Sequence, residues 1–230
     1  MFRSLEAKIT WSALLALTGT ALVITGVVYG ASGRFAESAN TEAEVQTQVQ
    51  LRELTSTSAS LVNAIEQALA QQLATDMAAM TDHAASLGAF RPGDTLLDWS
   101  VTSPGSDEAE QVRLPQLMVG DTSLGQETDL DQPVPVVDWV TDITGARATI
   151  FQRMNDTGDM LRVATTVPDA EGQRGIGTAI RASNADGTPN KVLAAVLQGE
   201  TYQGTATVLG AGYQTVYQPV TGPGGGVIGM

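Results

Sequence analysis

Leu61-Val-Asn-Ala-Ile65-Glu-Gln-Ala-Leu69-Ala-Gln-Gln-Leu73-Ala-Thr-Asp-Met77-Ala-Ala-Met80-Thr-Asp-His-Ala84-Ala-Ser-Leu87 runs without a proline or a glycine. Its apolar residues Leu61, Ile65, Leu69, Leu73, Met77, Met80, Ala84 and Leu87 recur at steps of three and four, the spacing of a stripe along a helix. The turn-free run reaches back to Arg34, so a single long helix is predicted over 34–88, stopped by Gly88 and Pro92. Its first half is polar, with Val45, Val49 and Leu54 as sparse apolar positions. A helix this long needs partners for both halves. A twin helix in a homodimer suits the first, and a sheet suits the second.

Upstream, residues 9–33 hold no charged side chain and are bounded by Lys8 and Arg34. At the helical rise this segment is roughly 37 Å long, enough to cross a hydrocarbon core with some tilt. Arg3 and Lys8 precede it, and Glu37, Glu42 and Glu44 follow. The positive-inside rule therefore places 1–8 in the cytoplasm and 34–230 outside, with 9–33 as a transmembrane helix. Trp11 and Tyr29 fall near its two ends, at headgroup level. A cleaved signal peptide is a rival reading: Gly30, Ala31 and Ser32 are small enough for cleavage, but the apolar core is longer than such peptides use. Phe2 followed by Glu6 resembles a pilin start, yet Lys8 would lie inside the pilin helix and no glycine precedes the Phe.

Downstream, the texture becomes short alternating runs, predicting a sheet domain over 93–230. Leu97, Trp99 and Val101 share a strand face, and Val112 and Leu114 follow across an acidic loop. Pro133 and Pro135 open a short helix carrying Val136, Val137, Val140 and Ile143, ended by Gly145. Strands are predicted over 146–153, 160–167, 201–209 and 212–220, with a second short helix over 189–198. Leu209-Gly-Ala-Gly212 reads as a tight hairpin turn, and 227–230 starts a further strand in which the sequence stops, as a fragment or truncated product would. The fold class is α+β: a long helix packed on one mixed, mostly antiparallel sheet.

Composition excludes several chemistries. With 12 Lys+Arg against 25 Asp+Glu, the net charge is −13, which disfavours nucleic acid as a partner. No cysteine is present, so thiol catalysis and Cys-ligated metals are out of reach, and the single histidine, His83, leaves almost no material for a His-based metal or acid–base site. His83 follows Asp82 on the apolar helix, where a satisfied structural histidine is the simpler reading. The glycine run near Pro223 lacks the Lys-Ser/Thr of a phosphate loop, and Gly175-Ile-Gly177 is too short for a dinucleotide fingerprint. Asp129 with Asp131, or Asp169 with Glu171, would hold calcium only weakly. No enzyme, cofactor or metal is indicated. Half of the arginines, Arg147, Arg153, Arg162, Arg174 and Arg181, fall within 147–181, and Tyr202, Tyr213 and Tyr217 follow. Guanidinium forks and flat hydrogen-bonding rings suit a small anion. The plainer reading has these arginines balancing local acids.

The order of short motifs carries a resemblance. Pro115-Gln-Leu117, Val137-Asp-Trp-Val140 and Thr144-Gly-Ala-Arg-Ala-Thr-Ile-Phe151 come first. Then follow Arg162-Val-Ala-Thr-Thr-Val167, Gly172-Gln-Arg-Gly-Ile-Gly-Thr178, Val196-Leu-Gln-Gly199, Tyr202-Gln-Gly204, Leu209-Gly-Ala-Gly-Tyr213, Tyr217-Gln-Pro-Val220 and Gly226-Val-Ile-Gly229. Together they resemble the single-Cache (Cache 3/Cache 2-like) extracellular sensor domains of bacterial methyl-accepting chemotaxis proteins and sensor kinases. The likeness is specific over 115–230 and architectural before that. It implies a PAS-like sheet on the long helix, with a pocket on the other sheet face for a small metabolite, an organic acid or amine. It also implies a periplasmic or extracellular domain anchored in the bacterial inner membrane. In the family the last strand leads on to a second transmembrane helix, a HAMP linker and an output domain. Strand alternation over 160–167 sends Arg162, Ala164 and Thr166 one way and Leu161, Val163, Thr165 and Val167 the other, toward the helix. The expected ligand-binding residues are Arg162, Thr166, Arg174, Tyr202, Tyr213 and Tyr217, with Gly175, Gly177 and Gly199 as backbone devices. The alternative is an envelope structural or protein-interaction module whose pocket is filled by its own side chains.

Overall fold

The computed structural model describes residues 39–103 and 108–230. The transmembrane segment predicted over 9–33, its flanks and the side chains of Val45 and Val49 lie outside the described residues. The chain divides into two compact units, 1–63 and 64–230. The described part of the first unit is helix. Among the described residues no helix is long and apolar enough to cross a membrane.

Helix α1 (Ala39–Leu87) matches the turn-free run. It ends where the Gly88 amide donates to Ala84 O at 3.1 Å. Gly88 (φ +132°) and Gly120 (φ +56°) then pass so closely that a Cβ on either would strike the other's backbone neighbourhood. Pro92 lies beyond this stop, inside the first strand. Not all of the predicted stripe faces the protein. Ala84 is buried and Met80 packs on the core, whereas Leu61, Ile65 and Leu87 are exposed. Leu61 to Met77 advances by four steps of four residues, which rotates the stripe by about 160° around the axis. One end therefore leaves the face that the other end presents.

The strands form three sheets rather than the single mixed sheet expected. β1 (Phe90–Val101), β2 (Glu110–Val119) and β3 (Thr122–Ser123) make one. β4 (Thr149–Arg153), β5 (Met160–Thr165), β6 (Ala179–Ile180), β9 (Val220–Thr221) and β10 (Val227–Gly229) make a second, in the order β6-β5-β4-β10-β9. The hairpin β7 (Tyr202–Val208) with β8 (Ala211–Tyr217) is the third. The pairings between these strands are antiparallel. The last strand is internal: it lies between β4 and β9, and Met230 exchanges both backbone hydrogen bonds with Phe151.

Helix α2 (Val137–Thr144) ends on Gly145 at φ +75°. Helix α3 (Lys191–Leu197) is capped by Asn190, whose side chain accepts from the Val192 and Leu193 amides. The five-stranded sheet buries both faces. Ile150, Leu161, Val163 and Ala164 join a core with Ala84, Trp99, Leu117, Val137 and Val140. On the other side Phe151 and Met160 join Leu193, Val196 and Met230. The candidate site lies at the edge of this second, smaller core.

Candidate ligand-binding site

β4 and β5 pair Ile150 with Ala164 but Phe151 with Arg162. One residue, Val163, is therefore extra on β5, a bulge. Ile150 and Phe151 point to opposite faces, and so do their partners. Strict alternation had kept Arg162, Ala164 and Thr166 together, whereas the bulge separates them. Arg162 goes to the Phe151 face, and Ala164 goes to the main core.

Arg162 is 5% exposed. Its guanidinium carbon stands 5.3 Å from the centroid of the Phe151 ring, within cation–π range. Nη1 donates to Gly175 O at 3.3 Å, and Nε has no hydrogen-bond partner. Among the described residues no carboxylate pairs with it. Burial pushes this guanidinium below its ordinary pKa, with Tyr217 acting in the opposite direction. Arginine stays charged even so, and a desolvated cation without a counter-charge is costly. Burial likewise pushes the Tyr217 hydroxyl up, Arg162 partly offsetting it, so Tyr217 remains a neutral hydrogen-bonding group.

The hairpin supplies the walls. Tyr202 pairs with Tyr217, Gly204 with Thr215 and Ala206 with Tyr213, so the three tyrosines share one face of it. Tyr217 sits between Tyr202 and Phe151, 6.4 Å from each ring. At the hairpin tip the two turn residues, Leu209 (φ +48°) and Gly210 (φ +84°), both adopt left-handed backbone, as a two-residue turn of this hand requires. Leu209 reaches Gly175: a Cβ there would collide with Leu209 Cδ1 and stand 3.6 Å from Arg162 Nη1. Gly175 is thus needed for space. Gly177 and Gly199, by contrast, carry positive φ.

Two expected residues lie elsewhere. Arg174 is 1% exposed and fully engaged. Nη1 and Nη2 grip the Asp138 carboxylate at 2.9 and 2.8 Å, and further bonds go to Asp129 O, Gln132 O and Thr165 O. It ties the acidic loop and β5 to α2 and leaves no fork for a ligand. Thr166 shares a hydrogen bond with the Thr141 hydroxyl at 2.9 Å and accepts from the Ala148 amide at 3.0 Å, which fixes α2 on the sheet. The bulge is the cause, since beyond it the strand presents the opposite set of side chains.

The other clustered arginines are also occupied. Arg181 bridges Glu110 and Asp159, Arg147 donates to Thr166 O, and Arg153 donates to the carbonyls of Asn155 and Asp156. His83 stacks on Trp139 with ring centroids 4.0 Å apart. Asp129 and Asp169 accept loop amides, and among the described residues no group of three or more potential metal ligands is found.

Two cavities lie away from Arg162. One of about 350 Å³ is lined by Pro92, Pro115, Arg153 and Ile228. The other, about 330 Å³, is lined by Met77, Met80, Ile150 and Met230. Neither presents a buried charge without a partner, and that is the feature that marks a polar ligand site. At Arg162 the Phe151 ring lies against the guanidinium, and the partly exposed Leu209 reaches over Gly175 beside it. Sequence reasoning missed Phe151 and Leu209. A leucine in a hairpin turn that favours Asn or Gly was the available signal for the second.

Arg162 is thus a buried cation beside the Phe151 ring, on one face of an antiparallel sheet. The Cache 3/Cache 2 fusion domain model matches residues 36–230. The chain belongs to that family of extracellular sensor domains. No curated protein and no solved structure matches it.

Proposed function

We propose that this chain is the ligand-sensing part of a transmembrane signalling protein, a chemoreceptor or sensor kinase. It is anchored through 9–33 in the bacterial inner membrane, with 34–230 on the periplasmic side. It binds a small organic anion at Arg162 and performs no catalysis. The observation that carries this reading is the buried Arg162 guanidinium, whose Nε has no partner and which meets no carboxylate among the described residues. Phe151, Tyr202 and Tyr217 provide apolar walls, and the β7–β8 tip must lift for a ligand to reach the cation. Occupancy would then alter the hairpin, β9 and β10 together, and β10 is where the family's output connection begins. The long helix pairs with that of a second copy.

Thermal shift of the full chain in detergent micelles against a metabolite library tests this. At a hundredfold excess over Kd a genuine ligand stabilises by about 2.7 kcal/mol. The expected result is a hit among small organic acids that disappears in Arg162→Met. A hit unaffected by Arg162→Met would move the site elsewhere.

The packing of Phe151 and Leu209 beside Arg162 favours one second reading, an envelope interaction module without a small ligand. Cross-linking on membranes that captures a distinct envelope protein at the hairpin face, with no metabolite response, would support it.

A further inference from the structure

Three buried polar side-chain atoms lack a hydrogen-bond partner among the described residues: Trp99 Nε1, Arg162 Nε and Thr178 Oγ1. Two of them belong to residues that face each other. The β5–β6 ladder pairs Met160 with Ile180 and Leu161 with Ala179, and the next step sets Arg162 opposite Thr178. The hydrogen bonds agree, with the Arg162 amide donating to Thr178 O and the Gly177 amide donating to Arg162 O, both at 2.9 Å. Gly177 has φ +79°. A left-handed glycine followed by a normal residue, both opposite one partner, is a G1 bulge. Its second residue keeps strand geometry, so the Thr178 and Arg162 side chains project from the same face at neighbouring positions.

A buried hydroxyl and a buried guanidinium N–H, both unpaired and side by side, each carry a desolvation cost that an acceptor between them would remove. Building on the anion site proposed above, we propose that Thr178 is its second anchor. Its hydroxyl donates to one oxygen of a carboxylate whose other oxygen accepts Arg162 Nε–H. The charge count then sets the ligand class. One guanidinium and one neutral hydroxyl neutralise a single negative charge, and among the described residues the other buried cation, Arg174, is already paired with Asp138. A dicarboxylate or phosphate dianion would leave a buried negative charge uncompensated, in a protein already at −13. Phe151, Tyr217 and Leu209 around the cation suit a short apolar tail. The ligand is a small monocarboxylate.

The test uses the full chain in detergent micelles, titrated calorimetrically with two- to four-carbon monocarboxylates, and with succinate and inorganic phosphate for comparison. The expected result is that a monocarboxylate binds wild type and the dianions bind at least tenfold more weakly. Thr178→Val, which keeps the shape and removes the hydroxyl, should weaken binding by about ten- to a hundredfold, as loss of a hydrogen bond to a charged group does. Thr178→Ser should restore most of it. Thr178→Val should melt no lower than wild type without ligand, since it removes an unpaired buried hydroxyl. If Arg162→Met abolishes binding while Thr178→Val binds like wild type, the role of Thr178 is overturned and the anion site stands. A preference for the dianions overturns the ligand class. If Arg162→Met binds like wild type, the underlying site falls as well, and a protein that ignores every probe overturns the monocarboxylate inference.

Discussion

Arg174 and Arg162 are both nearly sealed from solvent, at 1% and 5% exposure, and differ in what their guanidinium groups meet. Arg174 grips Asp138 with two nitrogens and satisfies several loop carbonyls. Removing it strands a carboxylate and those carbonyls. Arg174→Met is therefore expected to lower the unfolding free energy by about 3–5 kcal/mol. Arg162 leaves no carboxylate behind, so Arg162→Met is expected within about 1 kcal/mol of wild type, or above it. Chemical denaturation of the full chain in micelles, followed by near-UV circular dichroism, measures both. Equal destabilisation would make Arg162 a structural residue like Arg174 and remove the case for a ligand cation. In the sequence the two arginines looked alike: both stood in the enriched run, and neither spacing nor composition tells a saturated fork from a free one. Asp138, 36 positions before Arg174, is brought to it only by the fold. Thr166 was misplaced for a different reason, because period-two alternation contains no bulge until the partner strand is known.

At the scale of elements, the hairpin turn of β7 and β8 holds a residue that its backbone disfavours. Leu209 at φ +48° costs about 1 kcal/mol relative to glycine or asparagine, and its side chain rests on Gly175 above the Arg162 guanidinium. The strain is consistent with a tip kept for what its side chain covers. Leu209→Asn should relax the turn and uncover the site, leaving global stability within about 1 kcal/mol of wild type. Hydrogen–deuterium exchange is the measurement: the Gly175 amide, bonded to Val167 O at 3.0 Å, should exchange faster while the β4–β5 amides do not change. Unaltered exchange at Gly175 would show that the tip is not the cover. Elements themselves were legible where a local rule sufficed. Absent breakers marked α1, Gly145 marked the end of α2, and the turn read at Leu209-Gly-Ala-Gly212 marked the hairpin, whose turn proper is Leu209-Gly210. The division into three sheets was not legible, since it depends on which strands meet across long separations, and alternation along one strand does not specify its neighbour.

At the scale of the whole molecule, the exposed helix residues and the charge bear on assembly together. Leu51, Leu54 and Leu61 are exposed on α1, Leu61 at 63%. They fall three and seven residues apart, the a and d positions of a heptad with Ser58 at the intervening a. The flanking e and g positions are Gln50, Thr55, Thr57, Val62 and Ala64, all uncharged, whereas Arg52, Glu53 and Glu66 fall outside the seam. Two chains of net charge −13 repel one another, and a charge-free seam is where a parallel twin helix would meet least opposition. Burying a leucine contributes about 1.5–3 kcal/mol, so Leu54→Lys with Leu61→Lys should convert a homodimer of the full chain into monomer. Sedimentation equilibrium in density-matched micelles reads this directly. The same double variant is expected to keep the Arg162 site intact, because neither leucine belongs to either core cluster. Loss of dimer with retained monocarboxylate affinity would assign assembly to the helix and recognition to the sheet. A dimer that survives both lysines would place the interface on another surface.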